Sequence, residues 1–96
     1  MHLIYHPEAE TEIIEAAEYY DRQVPGLGGQ FLDEIEVAVA AIFDAPERWR
    51  RVDNEIRRYL AGRFPFGIYY RVEGEVIRIL AVKHHRRHPD YWRKRR

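Results

Sequence analysis

Residues 66–83 read Phe66-Gly67-Ile68-Tyr69-Tyr70-Arg71-Val72-Glu73-Gly74-Glu75-Val76-Ile77-Arg78-Ile79-Leu80-Ala81-Val82-Lys83. Phe66, Ile68, Tyr70 and Val72 alternate with Gly67, Tyr69 and Arg71, the period of two that marks a strand. Glu73-Gly74 reads as a two-residue hairpin turn, with glycine where a positive φ is needed. Beyond it Ile79-Leu80-Ala81-Val82 is apolar on both faces, which predicts a central strand covered on both sides. Upstream, Ile56, Arg58 and Leu60 alternate with Arg57, Tyr59 and Ala61, and Gly62-Arg63-Phe64-Pro65 separates that strand from the next.

The N-terminal half has the other period. From Pro7 to Asp21 the apolar positions are Ala9, Ile13, Ala16/Ala17 and Tyr20, one face of a helix. Pro7 suits the first turn, where its missing N–H is not needed. Glu8, Glu12, Glu15 and Glu18 are expected to form a solvated face. Pro25-Gly26-Leu27-Gly28-Gly29 breaks the chain, and a second stripe, Phe31/Leu32, Ile35, Ala38/Val39 and Ile42, runs to Ala45-Pro46. Leu3-Ile4-Tyr5, before the first helix, is a short strand. The order β-α-α-β-β-β predicts an α+β fold. Its twisted, mainly antiparallel four-stranded sheet carries an N-terminal αα-hairpin packed on one face.

Ninety-six residues make one domain, 1–96, since so short a chain cannot fill two cores. With 46% hydrophobic residues it can build a core, and its lack of cysteine excludes a disulfide scaffold. The longest apolar run, Val37 to Phe43, is far short of the roughly 18 residues a membrane helix needs. The N-terminus lacks the basic and long apolar regions of a secretory leader, so a cytoplasmic protein is expected. The formal net charge of zero hides a split: residues 1–49 carry eleven acids against two bases, and residues 50–96 carry fourteen bases against five acids. Either the basic half faces an anionic partner, or acidic helices and basic strands neutralise each other across the fold.

Arg57, Arg58, Arg63, Arg71, Arg78, Lys83, Arg86 and Arg87 are interleaved with Tyr59, Tyr69, Tyr70, Tyr91 and Trp92. Such a mixture suits nucleic acid through charge and stacking, and it equally suits strands whose arginine stems cover apolar surface. His84, His85 and His88 invite a metal reading, but Pro89 follows at once and no carboxylate cluster accompanies them, so neither metal nor other cofactor is expected. A single histidine acting as general acid or base, or simply as a hydrogen-bonding residue, is the better use of that segment. Tyr19, Tyr20, Trp49, Tyr59, Tyr69 and Trp92 are more large aromatics than so small an interior readily hides, and are expected to meet a protein partner.

The order of several short motifs carries a resemblance. They are Tyr5-His6-Pro7-Glu8-Ala9-Glu10, Tyr19-Tyr20, Pro25-Gly26-Leu27-Gly28, Phe31-Leu32-Asp33-Glu34-Ile35, Ile56-Arg57-Arg58, Arg63-Phe64-Pro65-Phe66-Gly67-Ile68-Tyr69-Tyr70 and Ala81-Val82-Lys83-His84-His85-Arg86-Arg87-His88-Pro89-Asp90-Tyr91-Trp92. Over nearly the whole chain the sequence resembles the RelE/ParE toxins of bacterial type II toxin–antitoxin systems, also described as plasmid stabilisation proteins. The resemblance implies a growth-inhibitory toxin neutralised by a cognate antitoxin and touching operator DNA only through it. RelE-like members cut mRNA on the ribosome. On that reading His85 and Tyr91 would move protons while Arg58, Arg63 or Arg87 neutralises phosphate. ParE-like members poison DNA gyrase and need no nuclease site. Gly67 stands where RelE-type nucleases carry an arginine, and Phe64-Pro65-Phe66 with Tyr69-Tyr70 is closer to the ParE-like pattern, so gyrase is the expected target. Ribosome-dependent mRNA cleavage and a non-toxic antitoxin-binding module are the alternatives.

Overall fold

The computed structural model describes residues 1–87 and 91–95. In chain order the elements are β1 (His2–Tyr5), α1 (Pro7–Gln23), α2 (Leu27–Asp44), β2 (Arg51–Asp53), β3 (Ile56–Leu60), β4 (Phe66–Glu73) and β5 (Val76–His84). The strands form one sheet in the order β1-β5-β4-β3-β2. β1 runs parallel to β5, and the other neighbours are antiparallel. The α+β class and the helix pair match the expectation, whereas the sheet has five strands rather than four.

The additional strand is β2, which forms a hairpin with β3. Asp53 pairs with Ile56, so Asn54 and Glu55 are the turn. Asn54 has φ 49°, a left-handed conformation that asparagine tolerates better than most residues. The β4–β5 turn lies one residue later than expected. Glu73 pairs with Val76, leaving Gly74 and Glu75 as the loop, with Gly74 at φ 59°. β4 is the central strand, while β5 is interior between β1 and β4.

The break between the helices is also shorter than the sequence suggests. Only Val24 to Gly26 separates them, and Gly28 and Gly29 lie in the first turn of α2. The backbone N–H of Gly28 donates to Asp21 Oδ1 at 2.8 Å. A Cβ there would stand 2.3 Å from the Ala17 carbonyl oxygen, so the missing side chain is what lets the helices close on each other.

The sheet alternates as its period requires. Phe66, Ile68, Tyr70, Ile77, Ile79 and Val82 face the helices and bury against Ala9, Phe31, Ile35, Ala38 and Ile42. Tyr20, Phe31, Phe64 and Phe66 interlock at ring separations of 4.9 to 6.2 Å. The Tyr70 hydroxyl donates to the Pro46 carbonyl at 2.6 Å, and Arg57 Nη1 donates to the carbonyls of Glu47 and Trp49. These bonds tie the α2–β2 connection to the sheet. On the opposite face Tyr69, Ala81 and Trp92 form a smaller cluster with Val52, Ile56 and Tyr91. The C-terminal tail supplies two of its rings, so β5 is covered on both sides.

Candidate functional site

β1 ends at Tyr5 opposite Ile79, but β5 continues to His84. From residue 80 onward the edge of β5 lacks a neighbouring strand, and Leu80 is the extra residue where the β4 register shifts. Buried backbone groups at such an edge must find partners. Here side chains supply them. Glu12 Oε1, from α1, accepts the Val82 N–H at 3.0 Å. Arg95 Nη1, from the tail, donates to the Leu80 carbonyl at 3.0 Å.

The two capping side chains also hold each other. Arg95 donates to both Glu12 oxygens, at 2.9 and 3.0 Å, and its Nε lies 3.3 Å from Glu8. Tyr91 donates its hydroxyl to Glu12 Oε2 at 2.5 Å, and Arg87 stands 3.7 Å from the same oxygen. The Arg87 and Arg95 guanidinium groups lie 4.1 and 4.9 Å from the centre of the Tyr91 ring. The Glu12 and Arg95 side chains are 7% and 8% exposed. Burial pushes the Tyr91 hydroxyl well above the ordinary tyrosine range, and its bond to the Glu12 carboxylate pushes it further. Burial opposes the charge on Arg95, but Glu12 outweighs it and holds that guanidinium above its usual value.

Glu12 therefore departs from the expected solvated face of α1. It sits three residues after Ala9 and four before Ala16, on the apolar stripe itself, which was the available signal. Its partner Arg95 is one of several bases in a basic tail, so its special role left no mark in the sequence.

The candidate nuclease residues come from several elements. Tyr91 and Arg87 meet at Glu12, as described. His85 is exposed, held by its backbone N–H on the Pro65 carbonyl at 2.9 Å. Arg63 belongs to the helix side: its guanidinium donates to Gln30 of α2, and the Arg63 and Phe64 N–H groups donate to the Glu34 carboxylate. Arg58 pairs across the strands with Tyr69 and faces the other way. His84 turns toward the helices, its ring 5.1 Å from Phe66. Burial, then Arg86, lowers its pKa below the ordinary histidine value. His88, Pro89 and Asp90 lie outside the described residues. Among the described residues no group of three or more His, Asp or Glu is placed to hold a metal ion. Nor is any helix among them long and apolar enough to cross a membrane.

Of the six aromatics expected to meet a partner, only Tyr19 is exposed, edge-on to Tyr20 at 5.5 Å. Tyr20 joins the core rings. Trp49 and Tyr59 pair at 4.6 Å on the helix-facing side of β3. Tyr69 and Trp92 stack at 4.9 Å and are 7% and 2% exposed, so their rings belong to the interior between sheet and tail. The open apolar surface lies elsewhere. Tyr5, Ile13, Ile14, Leu32, Ile35 and Val39 line a groove between α1 and α2, with Glu10 and Glu36 on its rim. Ile14 and Leu32 are 59% and 44% exposed.

An αα-hairpin on a five-stranded sheet, with an apolar helical groove and a tied-down basic tail, defines a small α+β protein. The family model described as the ParE toxin of the type II toxin–antitoxin system, parDE, matches residues 3–89. The chain belongs to that family. Among solved structures, a chain titled "Chromosomal ParDE TA system from P. aeruginosa" is similar in fold. Its TM-score is 0.78 at 19% identity, over 88% of this chain and 95% of that one. No curated protein matches the sequence.

Proposed function

We propose that this chain is the toxin of a type II toxin–antitoxin pair that inhibits growth by binding DNA gyrase, and that a cognate antitoxin neutralises it. The observation that carries the choice of target is the state of Tyr91. A general acid must offer its proton to the reacting phosphodiester, with a pKa matched to the task. The Tyr91 proton is instead given to Glu12, and burial holds it there. Arg63 and Arg58 lie on opposite faces of the sheet, and Gly67 supplies no side chain. A chain arranged in this way inhibits by binding.

The antitoxin is assigned to the groove between α1 and α2. An amphipathic segment laid there covers Ile14 and Leu32, and Glu10 and Glu36 on the rim select bases on its flanks. Operator DNA is reached through the antitoxin, because the exposed helical side of this chain is acidic. The test is to induce the chain alone and then with its antitoxin, following growth, DNA supercoiling and mRNA integrity. Arrested growth with altered supercoiling and intact mRNA, relieved by the antitoxin, is the expected result. mRNA cut at codon-fixed positions with unchanged supercoiling would replace this reading with the ribonuclease one.

A further inference from the structure

The side of α1 away from the groove meets a row of rings that the toxin reading does not use. Tyr19 and Tyr20 stand 5.5 Å apart at 72°, Tyr20 and Phe66 6.2 Å apart at 65°, and Phe66 and His84 5.1 Å apart at 83°. Rings set nearly at right angles form corners rather than a flat floor, so a group lodged there touches more than one ring. The same four rings, with Ala16, line one cavity of about 280 Å³. That is below the range of drug-sized ligand pockets and suits the end of one side chain.

The face of an aromatic ring is negative and attracts a cation. The chain's own arginines use this elsewhere: Arg48, Arg63, Arg87, Arg93 and Arg95 lie over Trp49, Phe64, Tyr91 and Trp92. Among the described residues none lies over Tyr19, Tyr20, Phe66 or His84. His84 is held in place by the Arg86 N–H, which donates to its Nδ1 at 3.0 Å. Burial, then Arg86, lowers its pKa, so at neutral pH it adds a ring and not a competing charge.

A carboxylate stands beside the rings. A second cavity shares Ala16, Phe66 and His84 with the first and adds Glu15. Glu15 is exposed, one turn before Tyr19 on α1, and forms no hydrogen bond or ion pair among the described residues. Arg87 also lines this second cavity, but its guanidinium is engaged 3.7 Å from Glu12 and over the Tyr91 ring. The free charge at this place is therefore negative.

We propose that Tyr19, Tyr20, Phe66, His84 and Glu15 bind the guanidinium of an arginine presented by a partner peptide. A planar guanidinium stacks on a ring while its N–H groups reach a carboxylate. Residues 10, 13 and 14 turn to the groove, whereas 15, 16 and 19 lie across the helix from them. The site therefore stands or fails apart from the antitoxin groove and from the choice of gyrase.

The experiment follows ring and amide NMR shifts of the full chain during titration with acetyl-Gly-Arg-Gly-amide. A parallel titration uses acetyl-Gly-citrulline-Gly-amide, which has nearly the same shape without the charge. The arginine peptide is expected to move the Tyr19, Phe66 and His84 ring signals saturably, and the citrulline peptide to leave them in place. Tyr19→Leu removes an exposed ring and should weaken binding about two- to fivefold, the range of an exposed cation–π contact. Glu15→Gln should also weaken binding and make what remains less sensitive to salt. Both positions are exposed, so both variants should melt with the wild type; if Tyr19→Leu does not fold, Glu15→Gln provides the same reading. An arginine peptide that moves none of these rings, a citrulline peptide that moves them equally, or binding unchanged in the folded variants overturns the site.

Discussion

Glu12 is the residue on which the C-terminal tail depends. Its carboxylate accepts from a strand N–H, a tyrosine and a bidentate arginine in one buried place. Breaking such a pair from one side is far more damaging than replacing both partners. Glu12→Gln leaves the Arg95 charge buried without its anion and should cost about 3–5 kcal/mol in urea unfolding. Combining it with Arg95→Met should return much of that loss, because the two sites are coupled and not additive. A loss below about 1 kcal/mol in the single variant would mean that the pair is solvated and the tail loosely held. Tyrosine titration provides a second test at this scale. Burial pushes Tyr70 up to about 12 and also raises Tyr91, Tyr5 and Tyr20 above the ordinary value. In the unfolded chain these groups lose protons from about pH 10, while the native state still holds them. The native state then binds more protons, so stability falls as pH rises through that window. Stability is expected to be level in this term below pH ~9 and to decline from about 10 toward 12, with tyrosinate absorbance appearing as the chain unfolds. Tyrosinate that forms fully near pH 10 without unfolding would contradict the burial described.

At the scale of elements, the two helices and the three longer antiparallel strands are legible because hydrophobic period and chain breakers agree over long windows. Two elements are not. β2 is three residues long, too short for a period of two to register, and its hairpin is marked only by Asn54, a weaker signal than an Asn-Gly pair. Gly28 looks like part of a loop, because glycine usually ends helices. Its place inside α2 is set by α1, which approaches within reach of a Cβ. Gly28→Ala therefore sets two effects against each other. Helix propensity favours alanine by about 1 kcal/mol. A Cβ 2.3 Å from a backbone oxygen forces the helices apart, an overpacking cost of typically 1–3 kcal/mol with the Asp21 bond also at risk. Packing should win, and the variant should melt below wild type; a higher melting temperature would show that the hairpin can spread at no cost. The tail is a similar case. Tyr91 and Trp92 stand out in the sequence as aromatics, but whether they face a partner or the sheet depends on a partner in α1 that is 79 residues away from Tyr91. Trp92→Ala should destabilise by about 3–5 kcal/mol, the usual cost of deleting a buried large aromatic.

Across the whole molecule the acidic and basic halves of the sequence become different surfaces. The helices carry most of the acids and the apolar groove, while the outer face of the sheet and the tail carry most of the bases. Glu12 with Arg95 joins the two halves at one point, and Arg63 beside Gln30 and Glu34 joins them at another. Internal neutralisation is therefore local, and much of each surface is left for partners. Rim charges act chiefly on association rate. Antitoxin association should accordingly slow as salt rises from ~50 to ~500 mM, where the Debye length shrinks to a few Å. An on-rate indifferent to salt would confine those charges to the fold. The groove, the tied tyrosine and the scattered arginines support the proposal of a toxin that acts by binding, and His85 provides a clean probe of that proposal. It is exposed and carries no described side-chain hydrogen bond, so His85→Ala leaves the fold intact. The most direct measurement is a supercoiling assay with purified gyrase and this chain, wild type and His85→Ala, run beside a translation reaction probed for mRNA cuts. Equal inhibition of gyrase by both proteins, reversed by the antitoxin and with uncut mRNA, is the predicted result; unaffected gyrase, with codon-positioned mRNA cuts that vanish in His85→Ala, would contradict it.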